Sequence, residues 1–210
     1  MDLAVPELDI MRYLAGTEVE KVYAETQRNV HEKGEDALSG ILRFRNGIVG
    51  VLDINWLTPT KVRELRITGA RGMFLGDYLK QDLYFYENSQ APSPWDAMAL
   101  FRGVGEGNVM KFTLNKVEPL EAELRAFIQA ATKGTPPAVS GMDALRALAL
   151  VQLLLASAEQ GEMLRFRGAE VLGAYDASAG LLTVFRVQEK QRTQSVGSSK
   201  PSPLAFNTAS

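Results

Sequence analysis

Asp36–Asn88 reads DALSGILRFRNGIVGVLDINWLTPTKVRELRITGARGMFLGDYLKQDLYFYEN, and this stretch decides the fold. It is a succession of runs with period-2 alternation, each closed by turn-forming residues. Asn46-Gly47 stands between two apolar runs. Both residues tolerate positive φ, so the pair predicts a hairpin with a type I′ turn. Leu57-Thr58-Pro59-Thr60 breaks the next run, and Gly69-Ala70-Arg71-Gly72 the one after. The stretch predicts an antiparallel sheet with a core of roughly four or five strands. Alternation from Ile48 to Trp56 puts Ile48, Leu52, Ile54 and Trp56 on one face and Val49, Val51, Asp53 and Asn55 on the other. Such a sheet buries one face against helices and leaves the other for water, a partner or a ligand.

Toward the N-terminus, Pro6–Ala15 predicts a short helix. Proline suits a first turn, Glu7 and Asp9 suit the positive end of the helix dipole, and Gly16 supplies the stop. Asp2–Val5 reads as a strand or tight loop leading into it. Thr17–Val30 predicts an edge strand, followed by a charged loop from His31 to Glu35.

Toward the C-terminus, Ser89–Gly107 is rich in Pro, Ser and Gly and reads as irregular, and Asn108–Lys116 returns as a last strand. In Pro119–Lys133 the residues Leu120, Leu124, Phe127, Ile128 and Ala131 form one helical stripe, with Pro119 at the start and Gly134 past the end. Ser140–Asp143 opens a second helix that runs to Gln160 and is closed by Gly161. It is apolar most of the way round, which predicts a place between the sheet and other helices. Val171–Val187 predicts one more hairpin about Ala179-Gly180, and the polar, Ser-rich stretch from Glu189 predicts a disordered tail. The expected organisation is an α+β domain over 1–167, a large, mostly antiparallel open sheet with helices on one face. A possible hairpin (168–188) and a tail (189–210) follow.

With 210 residues, 46% apolar, 23% charged and a net charge of −2, the chain has the make-up of a soluble globular protein. Nothing in it forms a basic footprint for nucleic acid or an anionic membrane. The absence of cysteine excludes disulfides, thiolate metal sites and thiol nucleophiles, and fits a cytoplasmic protein. The first residues lack the pattern of a signal peptide. Ala144–Ala158 is the most apolar run; it is shorter than a membrane span and reads as a core helix.

Motif by motif, no G-x-G-x-x-G follows a strand, and no P-loop or metal-ligand spacing occurs. Gly103–Gly107 is Gly-rich with the wrong spacing and reads as a loop. His31, the sole histidine, sits among charges and reads as solvated.

One pattern stands out. Asp2, Pro6, Asp9, Leu14 and Gly16 follow a D-x-x-x-H-x-x-D-x-x-x-x-L-x-G frame, except that proline replaces the histidine. Glu35-Asp36-Ala37, Phe44-x-Asn46-Gly47, Asn55-Trp56 and the late helix Ser140-Gly141-x-Asp143-Ala144-Leu145-Arg146-Ala147-Leu148 continue it. The chain thereby resembles, over about residues 1–167, the C-terminal domain of the glucose–fructose oxidoreductase / inositol dehydrogenase / MocA family. Trp56–Leu65, Gly72-Met73-Phe74, Asp77-Tyr78-Leu79, Gln81–Asn88 and Val104–Asn108 resemble its UDP-N-acetylglucosamine 3-dehydrogenase branch.

The resemblance implies a division of labour. A Rossmann half, which this chain lacks, binds NAD or NADP. This half covers the nicotinamide with its sheet, supplies an Asp/His pair, holds the sugar and builds a homo-oligomer through the open sheet face. Hydride passes from a sugar carbinol to the nicotinamide while a base takes the hydroxyl proton. Asp2 occupies the catalytic aspartate position. Pro6, at the histidine position, has no titratable group. The chain alone is therefore expected neither to bind the cofactor nor to turn over.

Asn55, Trp56, Lys61, Arg63 and Tyr78 are the candidates for holding a UDP-sugar, each beside a plainer reading. Asn55 and Trp56 end a strand near the implied site, or serve packing. Lys61 and Arg63 grip a diphosphate, or are surface charges. Tyr78, with Tyr84 and Tyr86, stacks on a sugar or base, or packs a sheet or interface. Asp9 belongs to the family frame, or only complements the helix dipole. The competing function is a non-catalytic oligomerisation module derived from the family; a sugar-nucleotide site without chemistry is a third.

Overall fold

The computed structural model describes residues 3–30, 34–88, 106–168, 175–176 and 181–182. In chain order it contains α1 (Ala4–Ala15), β1 (Val19–Gln27), β2 (Ala37–Phe44) and β3 (Val49–Asn55). Then come β4 (Glu64–Gly69), β5 (Gly72–Asp77), β6 (Asp82–Asn88) and β7 (Glu106–Phe112). Next are α2 (Pro119–Lys133), α3 (Gly141–Gln160), β8 (Leu164–Arg165), β9 (Tyr175–Asp176) and β10 (Leu181–Leu182). The α+β class with antiparallel strands is as expected.

The hairpin at Asn46-Gly47 forms, with β2 and β3 in register from Ala37↔Asn55 to Arg43↔Val49. Its turn is not type I′. Gly47 has φ of 88°, while among the described non-glycine residues only Gln81 has a positive φ. The Gly47 amide donates to Phe44 O (2.9 Å) and the Phe44 amide to Ile48 O (2.9 Å), which is a three-residue loop with glycine in the left-handed position. Asn46 keeps a negative φ, and its side chain anchors the turn: Nδ2 donates to Ala15 O (2.9 Å), and Oδ1 accepts from the Ile48 amide (3.2 Å). The turn thus ties the hairpin to the end of α1.

Alternation places the core as predicted in the middle of β3 and differently at its ends. Leu52 and Ile54 are buried, whereas Ile48 and Trp56 lie past the strand ends and are exposed. Leu38, Leu42 and Phe44 of β2 and Val22 and Ala24 of β1 share that inner face. They pack under Leu8 of α1 and Leu150 and Leu154 of α3. Gly50 lets α1 come close: a Cβ there would lie 2.3 Å from Met11 Cε and 3.2 Å from Phe44 Cε2.

Contrary to the edge-strand expectation, β1 lies inside its sheet, whose order is β3-β2-β1-β8. The partner on its outer side, β8, pairs only at Lys21 and Val22. Further along, the Ala24 amide donates instead to Ser157 Oγ of α3 (3.2 Å), and that hydroxyl donates to Glu162 O (2.6 Å). A buried serine so completes a ladder that a two-residue strand leaves short.

The strands of Asp36–Asn88 are shared between two sheets. β4-β5-β6-β7 form a second four-stranded antiparallel sheet. The chain between β3 and β4 passes through Pro59, which has no amide to donate and a fixed φ, and its residues Leu57–Val62 are exposed. The turn seen in the sequence is therefore a change of sheet.

α1 begins two residues earlier than the sequence suggests. Pro6 is its third residue, where the amide of a helix has no partner in any case. α3 opens on a capping box, the Asp143 amide donating to Ser140 Oγ (3.2 Å) and the Ser140 amide to Asp143 Oδ2 (3.1 Å). The whole helix, with 20 residues and a mean hydropathy of 1.4, has the length and composition of a membrane span, which the core helix of a soluble protein can also have. Here Ala147, Leu150 and Leu154 are fully buried in the domain core. α2 forms with Pro119 at its start and Gly134 past its end as predicted, but its stripe of Leu120, Leu124, Phe127 and Ile128 is exposed. β9 and β10 pair with each other; the rest of 169–210, the segment 89–105, Asp2 and His31 lie outside the described residues.

Candidate functional site

The first turn of α1 meets the junction between the two sheets. The Tyr78 amide, just past β5, donates to Arg63 O just before β4 (2.9 Å), so these two residues are neighbours across the end of the second sheet. Glu7 of α1 lies within electrostatic reach of both. Burial pushes its carboxyl above the usual carboxylate range, and the Arg63 guanidinium pulls it partly back. The Tyr78 hydroxyl is buried with no hydrogen-bond partner among the described residues. Burial first, then the Glu7 charge, push its pKa up to about 12.

The sequence candidates divide accordingly. Pro6 precedes Glu7 on the exposed side of α1 and brings no proton acceptor. Asp2 lies outside the described residues. Arg63 and Tyr78 come together, whereas Tyr84 and Tyr86 pack side by side along β6, ring centroids 6.4 Å apart, with Lys111 Nζ 5.1 Å from the Tyr84 ring. Those two tyrosines follow the sheet-packing reading. Asn55 turns its side chain back on the chain, Oδ1 accepting from the Leu57 amide (2.7 Å), and the Trp56 amide donates to Asp36 O (2.9 Å). Lys61 is exposed. Glu7 entered the sequence reading only as a dipole partner. Its neighbour at the family's histidine position was a signal; its approach to Tyr78 is a tertiary fact.

A second charged centre lies at the other end of α1. Arg12 is only 7% exposed and its guanidinium is fully used. Nε and Nη2 donate to the two oxygens of Glu18 (3.0 and 2.7 Å), and Nη1 to Asp9 Oδ1 (3.1 Å) and Asp143 O (3.3 Å). Asp9 is thereby committed to an ion pair, a role that neither sequence reading gave it. Arg12 holds the Glu18 carboxyl below its usual value, and the Ser140 cap does the same to Asp143. A cleft of about 660 Å³ lies over this cluster, lined also by Tyr13 and Val139. The buried Arg12 and its half-buried carboxylate partners satisfy one another, so the cluster reads as a clasp joining α1, β1 and α3. Among the described residues no group of three or more His, Cys, Asp or Glu is placed to hold a metal.

The profile of the C-terminal alpha/beta domain of the oxidoreductase family typified by glucose–fructose oxidoreductase, inositol dehydrogenase and MocA matches residues 1–166. The chain belongs to this family.

Among its family relatives, myo-inositol 2-dehydrogenase of Thermotoga maritima is 27% identical over 180 residues, 82% of this chain and 50% of that protein. The structure of UDP-N-acetylglucosamine 3-dehydrogenase GnnA from Acidithiobacillus ferrooxidans matches with a TM-score of 0.63 at 23% identity, over 75% of this chain and 47% of that one. The WlbA dehydrogenase from Bordetella pertussis, solved with NADH and UDP-GlcNAcA, matches at 0.52 and 22% identity, over 78% and 43%. The chain spans about half the length of the relatives it matches. At these identities the structural likeness carries the fold. In the two four-stranded sheets every described pairing is antiparallel. They do not build the parallel strand–turn–helix cradle that receives a dinucleotide pyrophosphate.

Proposed function

We propose that this chain is the sugar-holding and oligomerising half of an NAD(P)-dependent oxidoreductase that acts on a sugar or sugar nucleotide in the cytoplasm. The observation that carries the reading is the junction of Glu7, Arg63 and Tyr78 beside Pro6, the position that matches the family's histidine. Its relatives' names support the substrate class, one an inositol dehydrogenase and one a UDP-sugar dehydrogenase. Oxidising a carbinol needs a base for the hydroxyl proton, and Pro6 supplies none. The chain by itself holds a sugar without oxidising it.

The experiment is a pair of titrations on the purified chain. UDP-N-acetylglucosamine gives saturable heat, and NADH leaves the melting temperature unchanged. Silence with the sugar nucleotide, or a clear rise in Tm with NADH, contradicts the reading.

Exposed apolar rows favour the assembly role in particular. Ile67, Phe74, Phe85 and Met110 lie in one cross-strand row of the second sheet, with the Phe74 and Phe85 rings 4.7 Å apart. Tyr23, Ile41 and Val51 form another on the outer face of the first sheet, where Val51 is 74% exposed. Rows of this kind belong to surfaces that pair with another copy. A purely oligomerising module rests on the same rows together with the loss of the histidine.

A further inference from the structure

α2 is a helix without a cover. Its stripe of Leu120, Leu124, Phe127 and Ile128 is exposed, and among the described residues none of its side chains is buried. A helix of 15 residues is marginal in water and owes most of its stability to whatever its apolar face packs against. The second sheet has the opposite lack. Ile67, Phe74, Met110 and Phe112 lie exposed on one of its faces, with the Phe74 and Phe112 rings 6.2 Å apart. Among the described residues no helix packs over them. The inner face of the first sheet, by contrast, is closed by α1 and α3. An apolar sheet face of this kind needs such a layer.

Helix and sheet face belong to one chain, but α2 is held off its own sheet at both ends. The residues leading into it are pinned to the turn between β5 and β6. The Gln81 side chain bonds both backbone groups of Val117, Nε2 donating to its carbonyl (2.8 Å) and Oε1 accepting from its amide (3.1 Å). Lys116 Nζ donates to Lys80 O (2.6 Å) and Asp82 Oδ1 (3.1 Å). Gln81 takes a φ of 53° there, a left-handed conformation uncommon outside glycine. At the other end, residues 134–140 lead into α3, whose Asp143 carboxylate lies 3.5 Å from Arg12 in the clasp. A stripe fixed in place and open to solvent is covered from outside the chain. The rims are of opposite sign. Glu121 and Glu123 flank the stripe, while Arg63 and Arg71 stand exposed beyond the two ends of β4.

We propose that α2 of one copy packs its stripe on the apolar face of the second sheet of another copy, and that the exchange is reciprocal across a two-fold axis. The symmetry makes the contact twice over, which brings the buried area toward the about 800 Å² per partner of stable interfaces. The proposal rests on the assembly reading and deepens it, naming the two surfaces that meet.

The chain has no cysteine, so introduced ones report contacts cleanly. Leu124→Cys in α2 and Ile67→Cys in β4 both change exposed positions. Co-expressed and treated with a short bis-maleimide, the two variants give a covalent dimer, and neither does so alone. A chain carrying both substitutions gives covalent dimer, not a closed monomer. Phe127→Cys with Phe74→Cys repeats the test, and the Tm of each variant shows that it folds. A covalent dimer from one variant alone places helix on helix or sheet on sheet, and a closed monomer places α2 on its own sheet. Either result, or a dimer by light scattering with no cross-link, overturns the exchange while the assembly reading stands. A chain that is monomeric by light scattering and forms no cross-link overturns both and leaves the stripe to a different protein.

Discussion

Arg12→Ala lowers the stability of the domain by about 3–5 kcal/mol, the range found when one partner of a buried ion pair is removed. The side chain is nearly inaccessible, and its hydrogen bonds join Asp9 of α1, Glu18 just before β1 and the Asp143 carbonyl at the start of α3. Without it Glu18 keeps Arg146, 3.5 Å away and more exposed, and the more distant charge of Arg45. Urea denaturation at pH 7 measures the loss, and a change below about 1 kcal/mol, the value of a surface pair, contradicts it. The pH dependence has a definite sign. The folded pKa of Glu18 lies below its usual 4.5, chiefly through the Arg12 hydrogen bond. The clasp therefore contributes fully above that value and is lost as pH falls through the depressed one. Stability of the wild type drops on acidification over this window, and Arg12→Ala drops less.

Gly72→Ala costs about 3 kcal/mol or more and acts on the second sheet. Gly72 has φ of 152°, and a Cβ there would stand 2.2 Å from Tyr86 O and 2.7 Å from Phe85 Cζ. The clash is with backbone of the paired strand, so no rotamer relieves it. Because β4–β7 share no ladder with β1–β3, amide exchange should rise across residues 64–88 and 106–112 and stay slow in the buried strands of the first sheet. Uniform loss of protection in both sheets would show them to be one cooperative unit.

The readable parts of this fold were those written in local chemistry. Ser140–Asp143 announces a helix start, Gly161 a stop, and both are where the sequence puts them. Leu52 and Ile54 follow from alternation alone. Three things were not local. The turn at Asn46 is tied to the Ala15 carbonyl, far along the chain, a contact that no local pattern encodes. The division into two sheets depends on where Pro59 sends the chain, which a turn signal does not specify. The candidate site depends on Glu7 lying near Tyr78, which no spacing encodes. α2 teaches the reverse lesson: its stripe fixes a helix but says nothing about what covers it, and among the described residues none of its side chains is buried. Arg12 was passed over because an arginine three residues after an aspartate looks like an ordinary surface pair.

Light scattering of the purified chain, with and without NADH, tests the account most directly. The prediction is a particle of at least two chains whose mass and melting temperature ignore NADH, as the proposed pairing through the exposed rows and the proposed absence of cofactor binding require. A single-chain mass at high concentration, or a monomer that NADH stabilises, would contradict it.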